Sequence, residues 1–375
     1  MKFLDDFRDA ETARKLVDTI RRRSDRRYIL MDVCGGQTHN LLRYGIEQSL
    51  FPPVELIHGP GCPVCVTPAE VISRAQRLAL QPGVILTSFG DMLRVPGEDG
   101  SLLETRARGG DVRVVQSPLE AVRVAQQTPD HQVVFFAVGF ETTAPATALA
   151  VRAAESEGIE NFSILNAHVR VLPAMEAIVH DPSNQVEGFL AAGHVCAITG
   201  FAAYHSFAKD NQVPVVICGF EPLDLLIGIS QLIEKIDESS FTVLNAYQRG
   251  VVERGNEHAQ RLVHSVYDVA DKPWRGLGVI PSGGYELNAK YDRYDANLRF
   301  PESGFATHDR ESECRAADVL MGRLRPPDCP LFSTVCRPES PQGAPMVSSE
   351  GACAAYMQHQ PIPISAATSR MSEDE

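Results

Sequence analysis

Nowhere in the 375 residues do roughly 18 uncharged apolar residues run together, so no membrane-spanning helix is expected. The stretch from Met1 to Asp6 lacks the apolar core of a signal peptide, which points to the cytoplasm. Positive charge is scarce as well. Lys and Arg number 35 against 48 Asp and Glu, a formal net charge of -13 with a pI near 5.4, which argues against nucleic acid or an anionic membrane as the main partner. The one basic cluster, Arg21, Arg22, Arg23, Arg26 and Arg27, closes an expected first helix, where the dipole accounts for it. No GxGxxG follows an expected strand, so dinucleotide binding has no support. The paired CxxC motifs of a zinc ribbon are missing too.

What is present suits a soluble α/β protein. Hydrophobic residues make up 44% and charged residues 22%, and the length calls for two or three domains. Short apolar runs at 28–33, 54–57, 84–88, 112–115, 133–138, 162–165, 188–192 and 213–218 alternate with helical patterns up to about residue 250. Several runs are continuous and rich in β-branched or aromatic residues, as in parallel strands covered on both faces. The expected architecture is doubly wound, Rossmann-like α/β, in two related units. A weak repeat supports this: Gly139-Phe140-Glu141 recurs as Gly219-Phe220-Glu221, and 162–168 recurs as 241–247. A helix is expected over 1–25 and another over 251–269; beyond Phe300, prolines, glycines and cysteines replace periodic structure.

Nine cysteines in such a chain point to metal or redox chemistry rather than structural disulfides. Cys62 and Cys65 sit in His58-Gly59-Pro60-Gly61-Cys62-Pro63-Val64-Cys65-Val66-Thr67-Pro68, with Thr67-Pro68-Ala69-Glu70 reading as a capping box that opens the next helix. Sulfur just ahead of a helix N-terminus is a place for reactive or metal-binding thiolate. Cys34-Gly35-Gly36-Gln37-Thr38-His39 follows another expected strand, Glu141 and Glu221 follow two more, and His168 and His194 close apolar runs. Ligands in such sheets bind beyond the carboxyl ends of the strands, so a shared cleft is expected. Cys314, Cys329, Cys336 and Cys353 form a second set, whose spacing allows an iron–sulfur cluster, zinc or unconnected thiols. Cys196 and Cys218 read as core residues.

The Cys34 and Cys62 motifs, Gly139-Phe140-Glu141-Thr142-Thr143 and Met346-Val347-Ser348-Ser349-Glu350-Gly351-Ala352-Cys353 together resemble the HypD family of hydrogenase maturation factors. The resemblance implies an α/β domain over 26–130 carrying the Cys34 and CxxC loops and a second over 131–250. It also implies an iron–sulfur domain from 1–25 and 251–375, with a [4Fe–4S] cluster on Cys314, Cys329, Cys336 and Cys353. The implied role is a scaffold that binds iron with a partner, HypC, and assembles the Fe(CN)2CO unit of [NiFe]-hydrogenases, with HypE as transient cyanide donor. This is a redox-active assembly scaffold rather than a conventional turnover enzyme.

By the same resemblance Cys34 is the iron ligand, a soft thiolate for a soft, low-spin ferrous ion. Cys62 and Cys65 supply electrons as a dithiol, a role preferred to ligating the iron themselves. His39 and Thr38 bond a cyanide nitrogen or move a proton, with helix capping as the alternative for Thr38. Glu141 and His168 are candidates for outer-shell or proton-transfer work. An iron–sulfur thiol-disulfide oxidoreductase explains the CxxC and the cluster but leaves Cys34 without a task. A zinc-stapled binding module is the third reading.

Overall fold

The computed structural model describes residues 5–302 and 313–359. Eight apolar runs become parallel strands at nearly the expected places: β1 (Tyr28–Asp32), β2 (Val54–His58), β3 (Val84–Ser88), β4 (Asp111–Val114), β5 (Gln132–Gly139), β6 (Phe162–His168), β7 (Gly188–Ala192) and β8 (Val215–Cys218). Their β-branched and aromatic side chains fill both faces; every residue of β3 and β7 is buried, as are Phe135, Phe136 and Phe162. Each such side chain contributes roughly 1.5–3 kcal/mol on leaving water. A short β9 (Val243–Asn245) and an antiparallel hairpin, β10 (Tyr267–Trp274) and β11 (Gly278–Leu287), complete the strands of the described residues.

The strands form two parallel sheets, β2-β1-β7-β8-β9 and β4-β3-β5-β6. The architecture is therefore the expected α/β with two Rossmann-like sheets. Their membership differs from a division of the chain near residue 130. β1 pairs with β7, Leu30 opposite Gly188, so strands from the start of the chain join a sheet completed beyond residue 188, and β3 to β6 form the other sheet in between. The repeat has a structural counterpart, since β5 lies beside edge strand β6 as β8 lies beside edge strand β9.

Five helices matter for the site: α1 (Ala10–Arg23), α2 (Gly35–Arg43), α3 (Ile46–Leu50), α4 (Pro63–Val66) and α5 (Ala69–Ala79). Asp9 caps α1 by accepting the Thr12 N–H at 2.7 Å. Ile20, Leu16 and Val17 of α1 then pack among Leu225, Ile229 and Leu232 of helix Pro222–Asp237. The N-terminal helix thus lies on the first sheet's helical layer, where it had been expected to join the C-terminal cysteines.

The helix expected over 251–269 is shorter, Glu257–His264, because from Tyr267 the chain is extended as β10 and pairs antiparallel with β11. The Thr67 capping box is also replaced. Thr67 Oγ1 instead donates back to Pro63 O at 2.8 Å, closing the one-turn α4, and α5 starts after Pro68 without a side-chain cap. No helix of the described residues is long and apolar enough to cross a membrane.

Candidate functional site

The loops after β1, β2, β7 and β8 gather at one corner of the first sheet, and Cys34 is its centre. Cys34 leaves β1 with extended backbone (φ −145°, ψ 121°) and caps the N-terminus of α2. The Cys62 loop lies against it backbone to backbone: Gly35 N–H donates to Gly61 O at 2.9 Å and Gly59 N–H to Asp32 O at 2.8 Å. Only glycine permits this approach, since a Cβ on Gly61 would lie 2.3 Å from Cys34 N. Gly35 is constrained on its other side, where a Cβ would lie 2.4 Å from Glu350 O in the C-terminal segment. Gln37 ties the corner together, its Nε2 lying 3.2 Å from Ala191 O and 3.0 Å from Cys218 O at the ends of β7 and β8.

The Cys34 sulfur lies 3.6 Å from His194 Nε2 and 3.8 Å from Nδ1. His194 belongs to helix Gly193–Thr199, which begins as β7 ends, and its ring stacks on Phe220 (centroids 5.0 Å apart, planes 7° apart). Burial dominates at both groups. It pushes the Cys34 thiol up to about 12, helped by the nearby Glu350 and Asp32 carboxyl groups and opposed by the N–H groups of Gln37 and Gly36. Burial also holds His194 below its ordinary value, so a protonated thiol faces a neutral imidazole. The N-terminus of α2, which favours thiolate, is outweighed at Cys34 by desolvation. Such a thiol gains a strong tendency to ionise only when a cation arrives to bind the sulfur, and the imidazole beside it can take the proton.

Cys62 and Cys65 are joined as a disulfide, and both are buried in one apolar cluster with Cys34 and Phe140. Cys62 caps α4, its sulfur accepting the Cys65 N–H at 3.2 Å. The C-terminal end of α4 is held by Arg275, whose N–H donates to Val66 O at 2.8 Å and whose Nε donates to Thr67 O at 2.7 Å.

The four remaining cysteines form the second centre. Burial pushes the Cys353 thiol well up, and charge on Cys314, Cys336 or Cys329 would push it further. The four thiols therefore share one neighbourhood, joined from the other side by Arg275, whose charge favours the Cys314 thiolate. Among the described residues, however, no three His, Cys, Asp or Glu side chains are set to hold a single metal ion. This centre abuts the first. Helix Ala352–His359, which contains Cys353, packs on α2, and the turn Ala344–Met346 packs on α4.

Other expected residues lie apart from the Cys34 sulfur. His39 sits 3.2 Å from Ser349 O through Nδ1 and edge-on to His359 at 4.6 Å, so it faces the C-terminal segment. Thr38 donates to Asp32 Oδ1 at 2.6 Å instead of capping a helix. His168, 1% exposed, pairs with Asn166 Oδ1 at 2.8 Å and Thr147 Oγ1 at 3.4 Å; burial lowers it to about 3, a structural histidine. Glu141 accepts the Val171 N–H at 3.0 Å through Oε1, and it lines a separate cavity of about 180 Å³ with Arg170, Tyr204 and Tyr285. Burial raises its carboxyl to about 7. Cys196 and Cys218 are fully buried core residues, as expected.

Sequence reasoning noticed His194 only as the end of an apolar run. It missed the buried polar chain of Asp32, His58 and Glu47 behind Cys34, although Asp32 and His58, at the ends of two apolar strands, were its visible sign.

The chain matches the family described as HypD, hydrogenase formation hypA family, over residues 11–360. It is 45% identical over 366 residues to hydrogenase maturation factor HypD2 of Bradyrhizobium diazoefficiens, covering 95% of this chain and 96% of that one. It is 44% identical over 368 residues to the hydrogenase expression/formation protein HupD of Azotobacter chroococcum, covering 95% and 96%. Identity to hydrogenase maturation factor HypD of Escherichia coli is 42% over 368 residues, covering 96% and 98%.

Proposed function

The chain belongs to the HypD family and has a role in hydrogenase maturation, and on that premise we propose that it is the scaffold on which, with a HypC-type partner, an Fe(CN)2CO unit is assembled. The observation that carries this reading is the buried Cys34 thiol 3.6 Å from a neutral His194, with the Cys62–Cys65 loop clamped beside it. The iron is the cargo and Cys34 is its ligand on this side. When iron binds the sulfur, His194 accepts the Cys34 proton, so the thiolate forms without a free negative charge in the apolar pocket.

Cyanide arrives bonded to sulfur on a HypE-type donor. Breaking that S–C bond to leave a thiol and cyanide takes two electrons. Cys62 and Cys65, as a dithiol, supply both and close to the disulfide; one of their protons goes to the donor sulfur and the other is released as cyanide binds iron. The disulfide form is then the state after delivery. Cys314, Cys329, Cys336 and Cys353 are the residues that would hold a [4Fe–4S] cluster, since four soft thiols in one neighbourhood are the donor set that such a group takes. Bound there, the cluster would supply single electrons for reloading the dithiol. In this reading His39 helps hold the C-terminal segment in place, and Glu141 acts away from the iron.

The test is complementation. In a bacterium deleted for its own family member, this chain should restore hydrogenase activity and Cys34→Ala should not. If the Cys34→Ala variant restores activity as well as the wild type, the scaffold assignment falls and the thiol-disulfide oxidoreductase gains.

A further inference from the structure

Behind Cys34 runs a buried chain of hydrogen bonds that neither iron binding nor electron supply uses. Thr38, whose N–H donates to Cys34 O at 2.9 Å, donates through Oγ1 to Asp32 Oδ1 at 2.6 Å. The other Asp32 oxygen bonds His58 Nδ1, and His58 Nε2 lies 3.2 Å from Glu47 Oε2. Glu47 Oε1 accepts from Tyr356 Oη at 2.6 Å and Arg325 Nη2 at 2.8 Å. Asp32, His58, Glu47 and Tyr356 are each at most 4% exposed. The chain thus starts at the Cys34 loop and ends on two residues of the C-terminal segment. Arg325 leads into the turn Pro326–Asp328 before Cys329, and Tyr356 lies one helical turn beyond Cys353.

Its charges close. Two carboxylates face one guanidinium and, with His58 protonated between them, one imidazolium. Both C-terminal donors meet Glu47 Oε1, so taking one away leaves a buried carboxylate oxygen with a single donor, and the deficit passes to His58 and Asp32. The C-terminal segment also touches the loop directly, through Glu350 against Gly35 and Ser349 against His39.

We propose that Asp32, His58 and Glu47 are positioning residues that make the geometry at Cys34 conditional on the docking of the C-terminal cysteine segment through Arg325 and Tyr356. The inference deepens the scaffold reading by giving that site a regulator: the Cys34 pocket is closed and ordered only when the four-cysteine segment is seated. A chain whose cysteine segment is undocked then presents a loosened iron-binding corner.

The experiment needs neither cargo iron nor partner. Full-length protein, expressed without its HypC-type partner and purified without oxygen so that the four-cysteine segment keeps whatever group it binds, is treated with iodoacetamide, and alkylation at each cysteine is followed by peptide mass spectrometry. In Tyr356→Phe, which removes one hydroxyl far from the sulfur, Cys34 should be alkylated roughly fivefold faster, the factor expected for losing one hydrogen bond from the closed state. The rate at Cys196, buried in the same core, should not change. Glu47→Gln should act in the same direction and more strongly. If Cys34 and Cys196 accelerate together, or if Cys34 keeps its wild-type rate in both variants, the clamp is an ordinary folding contact and the proposal fails. Because the cargo iron is absent throughout, this result is separate from the scaffold reading, which stands or falls on complementation.

Discussion

The two cysteine centres are built by opposite means. Around Cys34 the thiol, its disulfide neighbour and the ring pair come from the ends of buried parallel strands: β1 carries the thiol, β2 the disulfide loop, β7 the histidine and β8 the aromatic ring that stacks on it. Around Cys314, Cys329, Cys336 and Cys353 there are turns, one-turn helices and a small apolar cluster of Cys336, Met346 and Ala354. The first centre takes its frame from the parallel sheet, and the C-terminal segment, seated against Gly35, closes it. The second has four thiols in one neighbourhood and little core of its own, and under the proposed function a bound cluster is its staple.

That contrast can be broken most sharply by substituting one cysteine in each centre. Cys353→Ser should abolish iron–sulfur absorbance in anaerobically purified protein and lower the melting temperature, while Cys34→Ala should leave both near wild type. Equal losses in the two variants would show that the centres are not separable in this way.

The next largest effect is expected at His58. Removing it leaves two buried carboxylates without their shared cation, and His58→Gln should cost roughly 3–5 kcal/mol in denaturant unfolding. The pH dependence has a definite sign. Burial opposes the charge on His58, but Asp32 and Glu47 overcome it and raise the group from 6.5 to about 10. Its contribution is therefore complete below pH 6.5 and is lost as pH rises through about 10. Unfolding experiments across that window should show the decline in the wild type and not in His58→Gln; a decline retained by the variant would assign it to other groups.

A smaller change of opposite sign is expected at Glu141, whose carboxyl is raised by burial from 4.5 to about 7. Its stabilising contribution is complete below pH 4.5 and is lost as pH rises through 7, so Glu141→Gln should gain up to roughly 3 kcal/mol at pH 8 and nothing near pH 4. A variant no more stable at pH 8 would mean the ionised carboxylate is accommodated in its cavity. The smallest effect lies away from both centres. Ser117 caps helix Pro118–Gln127 by accepting the Glu120 N–H at 3.3 Å, and Ser117→Ala should cost about 1 kcal/mol. Neither iron–sulfur absorbance nor Cys34 alkylation should respond.

The same contrast explains what could be read from the sequence. Strands β3 and β7 appear with the expected bounds because a buried parallel strand is a local pattern of consecutive apolar side chains. The motif cysteines could be placed after strands for the same reason. The pairing of β1 with β7 leaves no local mark, so the sheets interleave where a contiguous division was expected. Likewise Glu47, an ordinary-looking acidic residue in a short helix, acquires its meaning from Arg325 and Tyr356, about 300 residues away. The disulfide loop was visible in its spacing, but its cap was misassigned because Thr67 fits either the start of α5 or the close of α4. His194 could be recognised as special only once β7 was known to lie beside β1.

The most direct test of the central claim is an infrared spectrum of the protein purified without oxygen together with its HypC-type partner, for the wild type and Cys34→Ala. Cyanide and carbonyl stretches fall where protein absorbs little. The account predicts bands in the wild type that vanish in Cys34→Ala while iron–sulfur absorbance remains. Bands of undiminished intensity in Cys34→Ala, or a wild type that carries the cluster and never shows them, would contradict it.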